Sequence, residues 1–203
     1  MKNLFYPKAA LPLLILILVA NITSAQKIKE KQFIYWDEQD KISWEDFRGT
    51  AFHKSVQGIP GTAAVSRVGI QRKYFRYKES PDTISLMLRV TFNRFLSSVR
   101  ANWKTDRYLE HEQLHFDMTE LLARKMRRAY ILVDLNIPAE GKKVPKIIRS
   151  LTEDYKAQQV AFDNDSYSSA EKQKEWRIKI DEELLFLAEY NHPVVKIPVV
   201  TSK

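Results

Sequence analysis

Leu109-Glu110-His111-Glu112-Gln113-Leu114-His115-Phe116-Asp117 is the stretch on which the reading of this chain turns. It contains the pattern His-Glu-x-x-His. At 3.6 residues per turn, His111 and His115 stand about 40° apart, one above the other, so both imidazoles reach a single metal ion. Glu112 lies about 100° round from His111, at the edge of that face, where a carboxylate can touch a water on the metal without ligating the metal itself. This is the geometry of a zinc hydrolase, with His111 and His115 as ligands and Glu112 as general base.

The residues around the motif predict a helix. Leu114, Met118, Leu121, Leu122 and Met126 recur at helical spacing as one apolar arc that includes both histidines. Asp117, Glu120, Arg124, Arg127 and Arg128 are expected to face away from it. Two inward imidazoles need partners, because an unpaired buried polar group is costly, and one metal ion satisfies both. Thr105 or Asp106 is placed to cap the helix at its start. The cluster Arg124, Lys125, Arg127 and Arg128 suits the negative end of the helix macrodipole and is explained without a polyanion.

Two histidines do not complete a zinc site, which normally takes three protein ligands. Asp117 and Glu120 lie roughly 120° and 180° away from His111 round the same helix, so neither reaches the metal. Position 121, where an extended motif places a third histidine, is Leu121, and position 118, where it needs glycine, is Met118. The remaining candidates are Glu140, Glu153, Asp154, Asp163, Asp165, His53 and His192.

Further out, residues 1–25 read as a signal peptide: Lys2 and Lys8, a short apolar run from Ala9 to Ala20, and Thr23-Ser24-Ala25 before a cut ahead of Gln26. The run is shorter than the roughly 20 residues of a spanning helix, so no stable membrane span is expected after cleavage. The mature chain, residues 26–203, suits a single domain with a full core, exported to the periplasm or secreted. Losing Lys2 and Lys8 lowers the formal net charge of +8 by two, an excess ordinary for an exported protein. The absence of cysteine excludes disulfides, a thiol nucleophile and a thiolate metal site.

Phe33-Ile34-Tyr35-Trp36 and Ile42-Ser43-Trp44-Glu45-Asp46-Phe47-Arg48-Gly49 read as strand or turn with aromatic anchors, Trp44 and Phe47 packing inward. Gly58-Ile59-Pro60-Gly61 is a loop. Ala63 to Tyr77 is expected as one long strand, with Val65, Val68, Ile70, Tyr74 and Phe75 facing inward. After the turn Glu79-Ser80-Pro81-Asp82, the strict alternation of Ile84, Leu86, Leu88, Val90 and Phe92 makes the antiparallel partner. Aromatic residues on a half-buried strand are commonplace, so nucleic-acid binding is not expected. Trp103 is a packing residue before the motif helix. A loop spans Asn136 to Lys143, and helices follow over Pro145–Val160 and Ala170–Tyr190. Trp176, Ile180, Leu184 and Leu187 recur at helical spacing in the latter. Pro193 and Pro198 mark an extended tail.

Trp44-Glu45-Asp46-Phe47-Arg48-Gly49, the block His111-Glu112-Gln113-Leu114-His115-Phe116-Asp117, Phe162-Asp163 and Gln173-Lys174-Glu175-Trp176 together resemble a family of predicted secreted zinc-dependent proteases, a bacterial domain of unknown function. The His-Glu-Gln-x-His-Phe-Asp block is specific, and the other pieces support it. The family's later block reads Tyr-Asp-x-x-Thr-x-His, against Phe162, Asp163, Asn164, Asp165, Ser166, Tyr167 and Ser168 here. If that histidine is the family's third ligand, Ser168 replaces it, which leaves Asp163 as a ligand or as an orienting group. The competing reading is an aspartate that turns the chain before the last helix.

The expectation is therefore an α+β fold with an antiparallel sheet packed with helices, zincin-like, the motif on a central helix. The expected activity is zinc-dependent hydrolysis of a peptide or protein substrate, using His111, His115 and Asp163 on zinc and Glu112 as base. The alternative, motivated by Ser168, is a non-catalytic binding module of the cell envelope with a degenerate metal site.

Overall fold

The computed structural model describes residues 32–50, 63–80, 82–133 and 141–198. The signal-peptide reading, the Gly58–Gly61 loop, His53 and Glu140 lie outside these residues. Strand β1 (Phe33–Tyr35) is followed by a 3-10 turn at Trp44–Asp46, then β2 (Ala64–Val65), β3 (Val68–Phe75), β4 (Thr83–Asn93) and β5 (Ser98–Val99). Helices α1 (Asp106–Leu132), α2 (Lys143–Ser168) and α3 (Ala170–Phe186) come next, and β6 (Val194–Pro198) ends the described chain. The architecture is α+β with antiparallel sheets, as expected. No described helix is long and apolar enough to cross a membrane.

β4 is the strand on which the sheet is built. β3 pairs with it from Ser85 to Phe92, so β1 (Phe33↔Asn93) and β6 (Val194↔Met87) share its other edge end to end. Alternation in β4 sends Leu86, Leu88, Val90 and Phe92 inward, each at most 1% exposed. Burying side chains of this size contributes about 1.5–3 kcal/mol each. The expected single strand from Ala63 to Tyr77 is instead broken at Ser66-Arg67. There the Arg67 N–H goes to Ser97 Oγ at 2.9 Å and its carbonyl accepts from Asn93 N at 2.8 Å, so β2 leaves to pair with β5. Tyr74, expected inward, is exposed: it lies on the inner face but at the rim, where its hydroxyl meets that of Tyr130 at 3.3 Å. The tail is a strand too, because Val195 and Ile197 fill the core beside Leu86 while both prolines sit at the ends of an edge strand.

Thr105 caps α1, accepting from Tyr108 N at 3.3 Å. The helix is covered on two sides. Phe116 and Ala123 pack on Val90 and Phe92 of the sheet, while Leu114, Met118 and Leu121 pack on Phe162 of α2 and on Ile180 and Leu184 of α3. The expectation that Asp117, Glu120, Arg124 and Arg127 face solvent is thereby overturned: all four are buried, and only Arg128 is exposed.

Buried charge has to be paired, and for these four residues it is. Asp117 accepts from Trp36 Nε1 at 2.7 Å and Gln113 Nε2 at 2.8 Å, and pairs with Arg177 of α3 at 2.5 Å. Gln113 Oε1 in turn accepts from Ile42 N at 3.0 Å, tying the segment after β1 to the helix. Glu120 binds Arg124 and Arg127. Arg127 also donates to Leu88 O at 2.6 Å and Tyr190 O at 2.8 Å, and Arg124 to Leu184 O at 2.6 Å. Leu88 faces the interval between β1 and β6 where no strand pairs with β4, so Arg127 supplies the donor that a neighbouring strand would have given. Arg124 and Arg127 of the basic cluster are thus an internal clamp, and none of the four lies in the helix's last turn.

Helix α2 runs eight residues past the expected Val160, and α3 ends at Phe186, before a 3-10 turn at Ala188–Tyr190. Asp163 consequently sits inside a helix and not in a turn.

Removing Arg127 leaves Glu120 and the carbonyls of Leu88 and Tyr190 under-satisfied. Arg127→Leu is expected to lower unfolding stability by about 3–5 kcal/mol, whereas Arg128→Ala, on the exposed side, changes it by less than about 0.5 kcal/mol, both read from urea titrations.

Candidate metal centre

His111 and His115 project from α1 one turn apart, and α2 crosses above them so that Asp163 completes a group of three. Asp163 Oδ1 lies 3.3 Å from His111 Nε2 and 3.0 Å from His115 Nε2, and the two Nε2 atoms are 2.9 Å apart. These residues can hold a metal ion. Ligands at about 2.0–2.1 Å from a tetrahedral ion stand roughly 3.3–3.4 Å from one another, close to what is found here, and two imidazole nitrogens with one carboxylate oxygen are a donor set that suits zinc.

The site is packed from below. Phe162, fully buried, stacks on His111 with ring centroids 4.6 Å apart and meets His115 edge-on at 5.0 Å; Trp176 closes its far side. The outer nitrogens of both rings are held by α2 as well. His115 Nδ1 is 2.5 Å from Gln159 Oε1, and His111 Nδ1 is 3.0 Å from Ser166 Oγ. Gln159, Asp163 and Ser166 are spaced i, i+4, i+7 and so share one face of α2. The sequence did not single out Gln159, and Ser166 entered only as the counterpart of the family's threonine. Once Asp163 is placed on a helix, that spacing is the signal that finds them.

Above the donors opens a cavity of about 610 Å³. Ala63, Ala64, Val65 and Val68 form one wall, Arg107 and Tyr108 flank His111, and Glu112 lines the cavity beside both histidines. Glu112 is only 5% exposed, and among the described residues no hydrogen bond engages its carboxylate. The predicted base therefore shares the cavity with the predicted ligands.

Other third-ligand candidates are elsewhere. Glu153 and Asp154 are exposed two to three turns earlier on α2. Asp165 accepts from Trp176 Nε1 at 2.9 Å, and His192 is tied to Val194 in an exposed turn. Ser168, the position of the family's histidine, bonds back to Asp165 O at 2.9 Å and stays on the surface. Leu121 and Met118 fill the core.

In comparison with known proteins, no family model, curated protein or solved structure matches this chain. The resemblance to secreted zinc-dependent proteases thus rests on the quoted motif residues.

Without metal, the cluster behaves as an ion pair. Burial pushes the His115 pKa down, but the Asp163 hydrogen bond and the charges of Glu112 and Asp163 outweigh it, and the net shift is upward. For Asp163, burial raises the pKa, yet hydrogen bonds from both histidines hold it well below the usual carboxylate range. The raised His115 contributes stability that is fully present below about pH 6.5 and lost as pH rises through its folded value; the depressed Asp163 contributes stability present above about pH 4 and lost on acidification. With chelator present, the stability difference between wild type and Asp163→Asn should be largest between about pH 4 and 6.5 and shrink above neutrality. Zinc reverses the trend, because ligation needs deprotonated imidazoles. Urea midpoints across that range, with and without zinc, measure both.

Proposed function

We propose that this chain is a zinc-dependent hydrolase of zincin-like arrangement that cleaves peptide bonds, exported from the cytoplasm by residues 1–25. The observation that carries the proposal is the convergence of His111, His115 and Asp163 at 2.9–3.3 Å on one wall of a cavity that Glu112 also lines. The resemblance of the motif residues to secreted zinc proteases points the same way. Asp163 supports this reading in spite of Ser168, since a carboxylate from the preceding turn of α2 reaches the histidines that Ser168 does not.

Zinc bound by these three residues would supply a Lewis acid that polarises a carbonyl and acidifies water. The chain's own part follows from its geometry. Glu112 Oε atoms take the proton of the attacking water and return it to the leaving amine. Burial of that carboxylate in a cavity that Ala63, Ala64 and Val65 also line keeps bulk water from competing, and the same small apolar wall favours a substrate with an apolar side chain beside the scissile bond.

Glu112→Gln keeps the shape of the site and removes the base. Incubated with a peptide library, the zinc-loaded wild type is expected to yield cleavage products, and Glu112→Gln to lose rate by about 10²–10⁴-fold with zinc still bound. Undiminished cleavage by the variant would remove Glu112 from the mechanism.

A further inference from the structure

Resting on the metal-centre reading, we propose that Gln159 and Ser166 are positioning residues that fix the protonation pattern of both imidazoles, Nδ1 carrying the proton and Nε2 turned to the metal with its lone pair. The argument comes from what each partner can donate. Gln159 Nε2 lies 3.3 Å from Met118 Sδ, a weak acceptor with nothing to donate, so the amide is oriented with its oxygen toward His115. That oxygen only accepts, and it is 2.5 Å from Nδ1, so Nδ1 must hold a proton.

Ser166 reaches the same result by another route. Its hydroxyl lies 2.6 Å from Phe162 O, a separation two oxygens adopt only with a proton between them. The hydroxyl's single hydrogen is therefore spent on the helix backbone, and Oγ faces His111 Nδ1 at 3.0 Å as an acceptor. His111 Nδ1 is then the donor. With both Nδ1 atoms donating outward, the two Nε2 atoms and Asp163 Oδ1 face one another at 2.9–3.3 Å. Three acceptors at that spacing repel unless a cation lies among them, a proton in the metal-free ion pair or a metal ion in its place. The device on α2 thus prepares the centre for a metal ion, and it does so from residues outside the ligand set.

The test is competition for zinc against a chromophoric chelator, together with proton NMR of the imidazole N–H signals of the zinc-loaded protein. Gln159→Leu should weaken zinc binding by about 10–100-fold and lose the protected Nδ1–H signal of His115 alone. Ser166→Ala should lose that of His111 alone. Gln159→Glu, which keeps an acceptor oxygen at the same place, should restore both affinity and signal. Wild-type zinc affinity in Gln159→Leu, or protected protons on Nε2, overturns the inference while leaving the metal centre standing. Failure of the wild type to take up zinc overturns the metal centre, and this inference with it.

Discussion

The arrangement depends on a single helix being enclosed by a sheet on one side and two helices on the other. A helix so enclosed keeps little of its middle in water, so the charges of Asp117, Glu120, Arg124 and Arg127 must find partners inside. Asp117 gathers Trp36, Gln113 and Arg177, while Glu120 gathers Arg124 and Arg127. Between them the two clusters reach the segment after β1, helix α3 and the carbonyl of Leu88 in β4. The polar groups of α1 are therefore what position the elements around it, and the apolar groups supply the driving force.

The same enclosure explains the candidate site. His111 and His115 emerge where α2 crosses α1, and α2 meets them with Gln159, Phe162, Asp163 and Ser166. These four residues are respectively an acceptor, an aromatic floor, a carboxylate and a second acceptor. Two helices in van der Waals contact hold such groups more rigidly than a loop would, which is what a metal centre or a general base requires. Glu112, on the edge of the same face, is buried by the β2–β3 wall and left facing the cavity.

Much of this was legible in the sequence. The motif helix, the hairpin of β3 and β4, and the inward face of α3 follow from periodicities of 3.6 and 2, and residue type offered Thr105 or Asp106 as the cap, of which Thr105 serves. What was not legible depends on coverage from afar. Periodicity assigns Asp117, Glu120, Arg124 and Arg127 to solvent because charged residues usually lie there, and only the packing of α3 and β6 reverses it. The strand Val194–Pro198 was masked by its two prolines. Asp163-Asn164-Asp165-Ser166 looks like a turn, yet the Ser166 and Ser168 hydroxyls return to backbone carbonyls of their own helix, and α2 continues through it. That continuation is what lifts Asp163 onto the histidines, so the candidate third ligand was hidden behind a secondary-structure boundary.

The central claim is that Asp163 completes a metal centre begun by His111 and His115, and that Ser168 is irrelevant to it. Metal content of the purified protein, measured by mass spectrometry after digestion for wild type, Asp163→Ala and Ser168→Ala, tests this most directly. The account predicts about one zinc per chain in wild type and Ser168→Ala, and its loss in Asp163→Ala. Zinc retained by Asp163→Ala, or no metal in the wild type after dialysis against zinc, would contradict it.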